Sequence, residues 1–275
     1  MSTVQKLCLL ILRRLIKLYP SSRALKVLYS RFSPSIKTDQ FARSYGVVEL
    51  LAYLGKLDTN QPVTEEYIIS RFKSKASHYD TIVEKAGYLD HELEICSEST
   101  FSIADSLCKK PVFILDIGCG TGLLASRLFQ KGIAASIDGV DLSPEMLQEA
   151  QRRNIYSNLF SANATSYLTE SSKQYDIIVA CSVVPFFPPV QLESLIKAAN
   201  SSISDGGSLV FTFDVCGGED YRVNKKLFCE HSTKLVKGIA QRYFSDVRIE
   251  IIQNSRIEAG EVVSGAICIC SKMPS

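Results

Sequence analysis

The chain has 275 residues, 46% hydrophobic and 22% charged, which suits one α/β domain with an appendage and excludes wholesale disorder. The net charge of +2 averages a basic arm, with eight Lys and Arg and no acid before Asp39, over a mildly acidic body that lacks the basic patch nucleic acid requires. Nine cysteines with no CxxC pair and three dispersed histidines argue against a disulfide framework and against a zinc or histidine metal site, and no apolar run is long enough to span a bilayer.

Residues 4–19 have helical periodicity, with Leu7, Ile11, Leu15 and Leu18 on one face and Lys6, Arg13 and Lys17 on another. The apolar run Leu7–Leu12 stops at Arg13-Arg14, too short for a signal peptide. A second short helix, Arg23–Phe32, lies between Pro20 and Pro34. Three readings of this arm stay open: a helical hairpin packed on the body, a helix that lies on an anionic membrane surface, and an organellar presequence. The first leaves a cytoplasmic protein; the others predict peripheral membrane association or import. Residues 39–57 and 64–86 are predicted helical, with Gly87 as a C-cap, before Lys109-Lys110-Pro111 breaks the chain. The expected divisions are a basic helical extension over 1–65, a helical lid or linker over 66–110 and an α/β domain over 111–275.

After Pro111 the pattern becomes VFILDIG (strand), GLLASRLFQK (helix), IDGVDL (strand), SPEMLQEAQRRN (helix), NLFSAN and YDIIVACSVV (strands), PVQLESLIKAANSS (helix), a turn at Ser204–Gly207 and SLVFTFDV (strand). A helix around 224–242 and two strands, VRIEIIQN and VVSGAICIC, close the chain. The alternation predicts a doubly wound, mainly parallel seven-stranded sheet, and the final pair, close enough for a hairpin, predicts antiparallel character at its end.

Asp116-Ile117-Gly118-Cys119-Gly120-Thr121-Gly122 follows a predicted strand and opens a helix. Glycines let the backbone turn tightly and approach a ligand, and the helix N-terminus offers free N–H groups to a carboxylate. A nicotinamide-binding turn uses similar geometry, but Leu123 stands where that fingerprint needs its third glycine, and a carboxylate at Asp116 would repel a pyrophosphate while suiting an amino group. Asp141, 21 residues after Gly120, ends the next strand, where an acid can accept both hydroxyls of a ribose; Ser143 and Pro144 fit N-cap and N1 of the following helix.

ILDIGCGTG, GVDLSPEML and YDIIVACSVV at these intervals resemble the motifs of the class I S-adenosylmethionine-dependent methyltransferases, over residues 111–214. Upstream, Arg71–Asp80 with Gly87-Tyr88-Leu89, and downstream Tyr221-Arg222-Val223 and Glu230-His231-Ser232, are similar to a subgroup of predicted methyltransferases often fused to tetratricopeptide repeats. Residues 39–65 would then be a remnant of a repeat-type helix pair, although no repeat consensus is intact. The resemblance implies a Rossmann-like methyltransferase fold with S-adenosyl-L-methionine as cofactor. Asp116, Gly118, Gly120 and Gly122 would hold its methionine end, Asp141 its ribose and Leu142 the adenine face. The adenine edge falls in Ser161–Ala164, where an acid is usual and Asn163, beside Ala164, is a departure; its amide carbonyl is expected to accept from the adenine amino group. Cys181 and Ser182 would border the sulfonium.

Methyl transfer needs a nucleophile brought in line and water excluded, and a general base only if the acceptor must lose a proton. The N/D-P-P-Y signature of exocyclic-nitrogen methylation is absent, Ala180-Cys181-Ser182-Val183 standing in its place, and Pro185–Pro189 forms an apolar rim. His231, on the expected terminal helix among polar neighbours, and Tyr79, with His78 on the lid, are the candidate catalytic residues. The acceptor is expected to be a small molecule, a lipid-like molecule or a protein side chain. A cofactor-binding assembly or regulatory protein without catalysis is the alternative, and a nicotinamide-dependent oxidoreductase is disfavoured by the glycine spacing.

Overall fold

A computed structural model of the chain describes residues 63–85, 90–107, 110–224, 227–258 and 261–273. The basic arm, the helix expected over 39–57 and the C-cap expected at Gly87 lie outside these residues. The lid is built from α1 (Glu65–Lys73), a 3-10 turn at Ala76–His78, α2 (Tyr79–Lys85) and α3 (Asp90–Ser106). The α/β body follows as β1 (Val112–Ile117), α4 (Leu123–Gln130), β2 (Ala135–Asp141), α5 (Pro144–Arg152), β3 (Asn158–Ser161), α6 (Ala164–Glu170), β4 (Tyr175–Ala180), a 3-10 turn at Val184–Phe186, α7 (Pro189–Ser202) and β5 (Ile203–Val215). The chain then forms β6 (Tyr221–Val223), β7 (Cys229–His231), α8 (Thr233–Ala240), β8 (Asp246–Glu258) and β9 (Glu261–Ser271).

One sheet runs β3-β2-β1-β4-β5, all parallel, and continues through antiparallel β9 and then β8. The expected seven-stranded, doubly wound sheet with an antiparallel finish is therefore present. Both faces are covered, which is why the central strands read as unbroken apolar runs. Alternate residues feed opposite layers: Leu115, Ile117, Ile178 and Ala180 pack with α7 and α8 through Leu192, Ile196, Val236 and Ile239. Ile114, Ile177 and Val179 pack with α3 and α4 through Cys96, Leu124 and Leu128.

Three expectations need correction. The region from 224 to 242 is not one helix: β6 and β7 form a hairpin that joins the end of β5, giving nine strands, and α8 begins only at Thr233, capped by Ser232. Short polar-apolar alternation at Tyr221–Val223 was too brief to register against the helical pattern that follows. Ser204–Gly207 runs within β5 as a register irregularity instead of ending a helix in a free turn. NLFSAN yields a strand only to Ser161, because Asn163 caps the unanticipated helix α6 with its side-chain oxygen.

Candidate functional site

The carboxyl ends of β1, β2, β3 and β4 open into one cavity of about 850 Å³, roofed by α1 and the start of α2. Asp116, Gly118, Gly120, Asp141, Leu142, Asn163, Ala164 and Cys181 all line it, and so does Tyr79. Gly122 does not; it caps α4 with φ at 87°. Its Cβ would press on Arg153 and Tyr156 at 3.0 Å, so that glycine serves packing.

The loop between β1 and α4 holds Gly118, Gly120 and Gly122 at positive φ. Gly118 and Cys119 donate their N–H groups to the Val140 carbonyl at 2.7 and 3.1 Å. A Cβ at Gly118 would meet Val183 Cγ2 at 2.4 Å, whereas one at Gly120 would find no protein atom nearer than 3.9 Å and would stand in the space the ligand needs. Asp141 fixes the loop from the other side: its Oδ2 accepts from Gly120 N at 2.9 Å and its Oδ1 from Ser143 N at 2.8 Å. Each oxygen keeps a lone pair for a ribose hydroxyl. Burial pushes the Asp141 carboxyl above the usual carboxylate range, against these N–H bonds.

Asp116 is buried where β1 ends, and its Oδ2 accepts from the Tyr156 hydroxyl at 2.7 Å. Burial, helped by the nearby Asp141 carboxylate and opposed by Tyr156, pushes its carboxyl up to about 7. A buried carboxylate with no cationic side chain against it is a fitting receptor for an ammonium group. Ser182 Oγ, also lining the cavity, is buried with no hydrogen-bond partner, and Ser182 sits at φ 59°, a conformation costly for a residue with a Cβ. The glycine cradle, the two carboxylates and this orphaned hydroxyl fit the methionine and nucleoside ends of S-adenosylmethionine.

The lid is clamped onto this floor by residues the motifs do not contain. Asp80 accepts from Thr121 Oγ1 at 2.6 Å and pairs with Arg153. Arg153 in turn donates to the Thr121 carbonyl at 2.5 Å and to Ser126 Oγ at 3.0 Å. Lys73 of α1 bridges to Glu145 of α5 at 2.7 Å. Asp80 stood within the lead-in pattern, but its partner at 153 is read only once the fold brings α5 beside the loop.

Tyr79 meets the cofactor residues in the cavity, edge-on to Phe72 at 6.1 Å. Burial, with the Cys181 thiol and the Asp141 carboxylate adding to it, pushes its phenol up to about 12. At neutral pH the Tyr79 hydroxyl keeps its proton. His78 is exposed and bonded to its neighbour Ser77. Cys181 is held protonated by its hydrogen bond with Cys96 and by burial.

His231 overturns its expectation. It lies on β7, not on a helix, and is fully buried. Its Nε2 donates to the Phe187 carbonyl at 3.0 Å, its Nδ1 is buried without a partner, and it does not line the cavity. Burial pushes it down to about 4, and with Nε2 spent on the Phe187 carbonyl and no place on the cavity wall it holds the Phe187 segment. The polar neighbours Glu230 and Ser232 misled because their polarity is spent on Arg222, Asn224 and Asp220 within the hairpin. Asn163 also departs from expectation: its carbonyl accepts from Thr165 N and Ser166 N at 2.9 and 3.1 Å as the cap of α6, and its amide donates to Glu65 Oε1 at 2.7 Å.

Residues 114–207 match the family model described as a methyltransferase domain. The chain is 25% identical over 150 residues to a malonyl-[acyl-carrier protein] O-methyltransferase of Priestia megaterium, covering 54% of this chain and 52% of that protein. It thus spans about half the length of that curated relative. Among solved structures it resembles the magnesium protoporphyrin IX methyltransferase of Synechocystis PCC 6803 with bound S-adenosylhomocysteine, at 17% identity, TM-score 0.56, over 76% of this chain and 99% of that one. It also resembles the [4+2]-cyclase SpnF, at 15% identity, TM-score 0.52, over 65% and 82%. At these identities the structural likenesses establish the fold.

Two predictions test the site. Gly120→Ala should fold with a cost of about 1–2 kcal/mol for a side chain at positive φ and lose affinity for S-adenosylhomocysteine, while Gly118→Ala should lose more stability through its clash with Val183. Thermal unfolding and calorimetry on both separate the cases; normal binding by Gly120→Ala would place the ligand elsewhere. The second concerns pH. His231, depressed from 6.5 to about 4, contributes stability that is lost as pH falls through that window, because the unfolded chain takes the proton first. Asp116, raised from 3.8 to about 7, contributes stability that is full at low pH and lost as pH rises toward 7. The two offset each other. Asp116→Asn should therefore lose about 3 kcal/mol more than wild type between pH 6.5 and 4, read from urea midpoints. Superimposable profiles would show Asp116 ionised throughout.

The fold, the matched segment and the cradle between the two carboxylates agree: residues 114–207 of this chain match a methyltransferase domain, set in a Rossmann-like methyltransferase fold.

Proposed function

We propose that the protein transfers the methyl group of S-adenosylmethionine to a small, uncharged and largely apolar acceptor. The observation that carries this reading is the pair of carboxylates, buried Asp116 and half-buried Asp141, at the ends of neighbouring parallel strands on either side of the left-handed glycine loop. Asp116 would hold the ammonium group, the loop N–H groups and the start of α4 the carboxylate, Asp141 the ribose hydroxyls and Leu142 one face of the base. When bound, the cofactor supplies a methyl group on a positively charged sulfur, already activated for attack.

The chain's own residues then have three tasks. Phe72, Phe186, Phe187 and Val183 wall the far side of the cavity and exclude water. The Tyr79 phenol, protonated at neutral pH, orients an acceptor oxygen or nitrogen by donating to it. The Cys181 thiol, held protonated, does not compete for the methyl group as a thiolate would. Orientation in such a closed site is worth roughly 7–11 kcal/mol in favourable cases, so a general base is not required for acceptors that need lose no proton before attack.

Charge narrows the acceptor. Among the described residues, the charged side chains lining the cavity are Glu65, Glu66, Asp116 and Asp141, with no Lys, Arg or His. An anionic acceptor such as the malonyl group named for the Priestia megaterium relative would find no cation here, whereas an apolar amine, whose proton leaves to solvent after attack, would suit the aromatic wall. The volume of about 850 Å³ is near the upper end for small-molecule sites and leaves room for two ligands. The similarity of the lid to the tetratricopeptide-linked subgroup, and a cytoplasmic location with the basic arm as a packing or membrane-surface segment, belong to the same proposal. No helix among the described residues is long and apolar enough to cross a membrane. A non-catalytic, cofactor-binding role draws support from one observation only: among the described residues no histidine or lysine lines the cavity to act as a base.

Incubation with methyl-labelled S-adenosylmethionine and a fractionated small-molecule extract should label an organic-soluble product. Asp141→Ala, which loses two charge-assisted hydrogen bonds of about 1.5–3 kcal/mol each, should bind the cofactor at least tenfold more weakly and lose the labelling. Tight binding of cofactor with no labelled product in any fraction would favour the non-catalytic role.

A further inference from the structure

We propose that Glu65, on the lid helix, supplies the carboxylate that receives the adenine amino group, a position the body of the domain leaves without an acceptor. This rests on reading the cavity as the S-adenosylmethionine site.

The geometry begins with the ribose. Asp141 pairs in register with Ser161 of β3, so the base attached to a ribose held at Asp141 reaches toward the segment after β3, where Ala162, Asn163 and Ala164 line the cavity. An amino group buried there needs an acceptor. Asn163 is the side chain nearest to hand, but its carbonyl is committed to the first turn of α6 through Thr165 N and Ser166 N, and its amide nitrogen is a donor. What that amide holds is Glu65: Nδ2 donates to Oε1 at 2.7 Å across 98 residues of sequence. Glu65 lines the same cavity, and its second oxygen, Oε2, makes no hydrogen bond among the described residues. Asn163 thereby fixes one carboxylate oxygen to the rim and leaves the other for a donor on the base.

The arrangement also gives the lid a reason to close on the correct nucleoside. Glu65 opens α1, whose N-cap is Thr64 and whose far end is tied by Lys73 to Glu145. A base that donates to Oε2 would join α1 to the floor at both ends, whereas a base that presents an acceptor would face a carboxylate.

The test uses calorimetry on the full chain with S-adenosylhomocysteine and S-inosylhomocysteine, which carries a carbonyl oxygen in place of the amino group. Wild type should prefer the adenosyl compound by about 10- to 100-fold, the worth of one hydrogen bond to a charged group. In Glu65→Gln the side-chain oxygen stays with Asn163 Nδ2 and the amide nitrogen faces the base. The preference should then collapse or invert, the adenosyl compound losing affinity and the inosyl compound gaining it. Glu65 is exposed at a helix start, and unchanged thermal unfolding of the variant checks that the fold is intact. An unaltered preference in Glu65→Gln would overturn the assignment while leaving the cofactor site standing. Failure of wild type to bind either compound would overturn the cofactor reading and this inference with it.

Discussion

The site hangs on one carboxylate. Asp141 accepts from the backbone of two different crossovers, Gly120 after β1 and Ser143 after β2, and so sets the distance between the glycine loop and the start of α5. Burying a carboxylate is costly, and the rise in its pKa records that cost, but two N–H partners offset it without a cation. Val140, one residue earlier, receives the N–H groups of Gly118 and Cys119, so consecutive residues of β2 grip the loop by carbonyl and by side chain. The loop in turn carries Thr121, whose hydroxyl and carbonyl are the landing points of Asp80 and Arg153. Lid, loop and α5 are therefore one connected unit with Asp141 beneath it.

The same carboxylate imposes an electrostatic condition. Burial, with the Asp141 carboxylate adding to it, holds Asp116 near neutrality in a cavity lined by no basic side chain among the described residues. A ligand that brings positive charge relieves this, and one that brings negative charge aggravates it. A sulfonium compound gains this attraction, and its demethylated product, with a neutral sulfur, keeps only that of the ammonium.

The floor of the site was legible because its constraints are local. Asp116, the glycines and Asp141 sit at strand ends whose apolar runs announce a sheet covered on both faces, and helix Pro189–Ser202 was bounded by its own proline and turn residues. What escaped notice depends on contacts distant in sequence. Tyr156 and Arg153 look like linker residues until the fold sets them beside Asp116 and Thr121. Asn163 could be read as an adenine contact only while its capping of α6 was unseen. His231 failed for a related reason: three-residue strands carry no periodicity, so a buried hairpin histidine was indistinguishable from a polar helix residue.

The matched segment ends at residue 207, and this division bears on where specificity lies. The floor that holds the cofactor belongs to that segment, but much of the roof does not. Val63 and the α1 side chains Tyr67 and Ile68 pack with Leu227 beyond β6, and Phe186 stands between Phe72 and Phe228 at 5.7 and 5.4 Å. Arg71 lies over the Phe228 ring at 4.7 Å. His231 holds the Phe187 carbonyl from the hairpin side. The aromatic wall of the cavity is thus assembled from the lid, the turn after β4 and the loop of the β6–β7 hairpin. Likeness over the matched segment therefore bears on the floor of the cavity and leaves these outer elements free to differ.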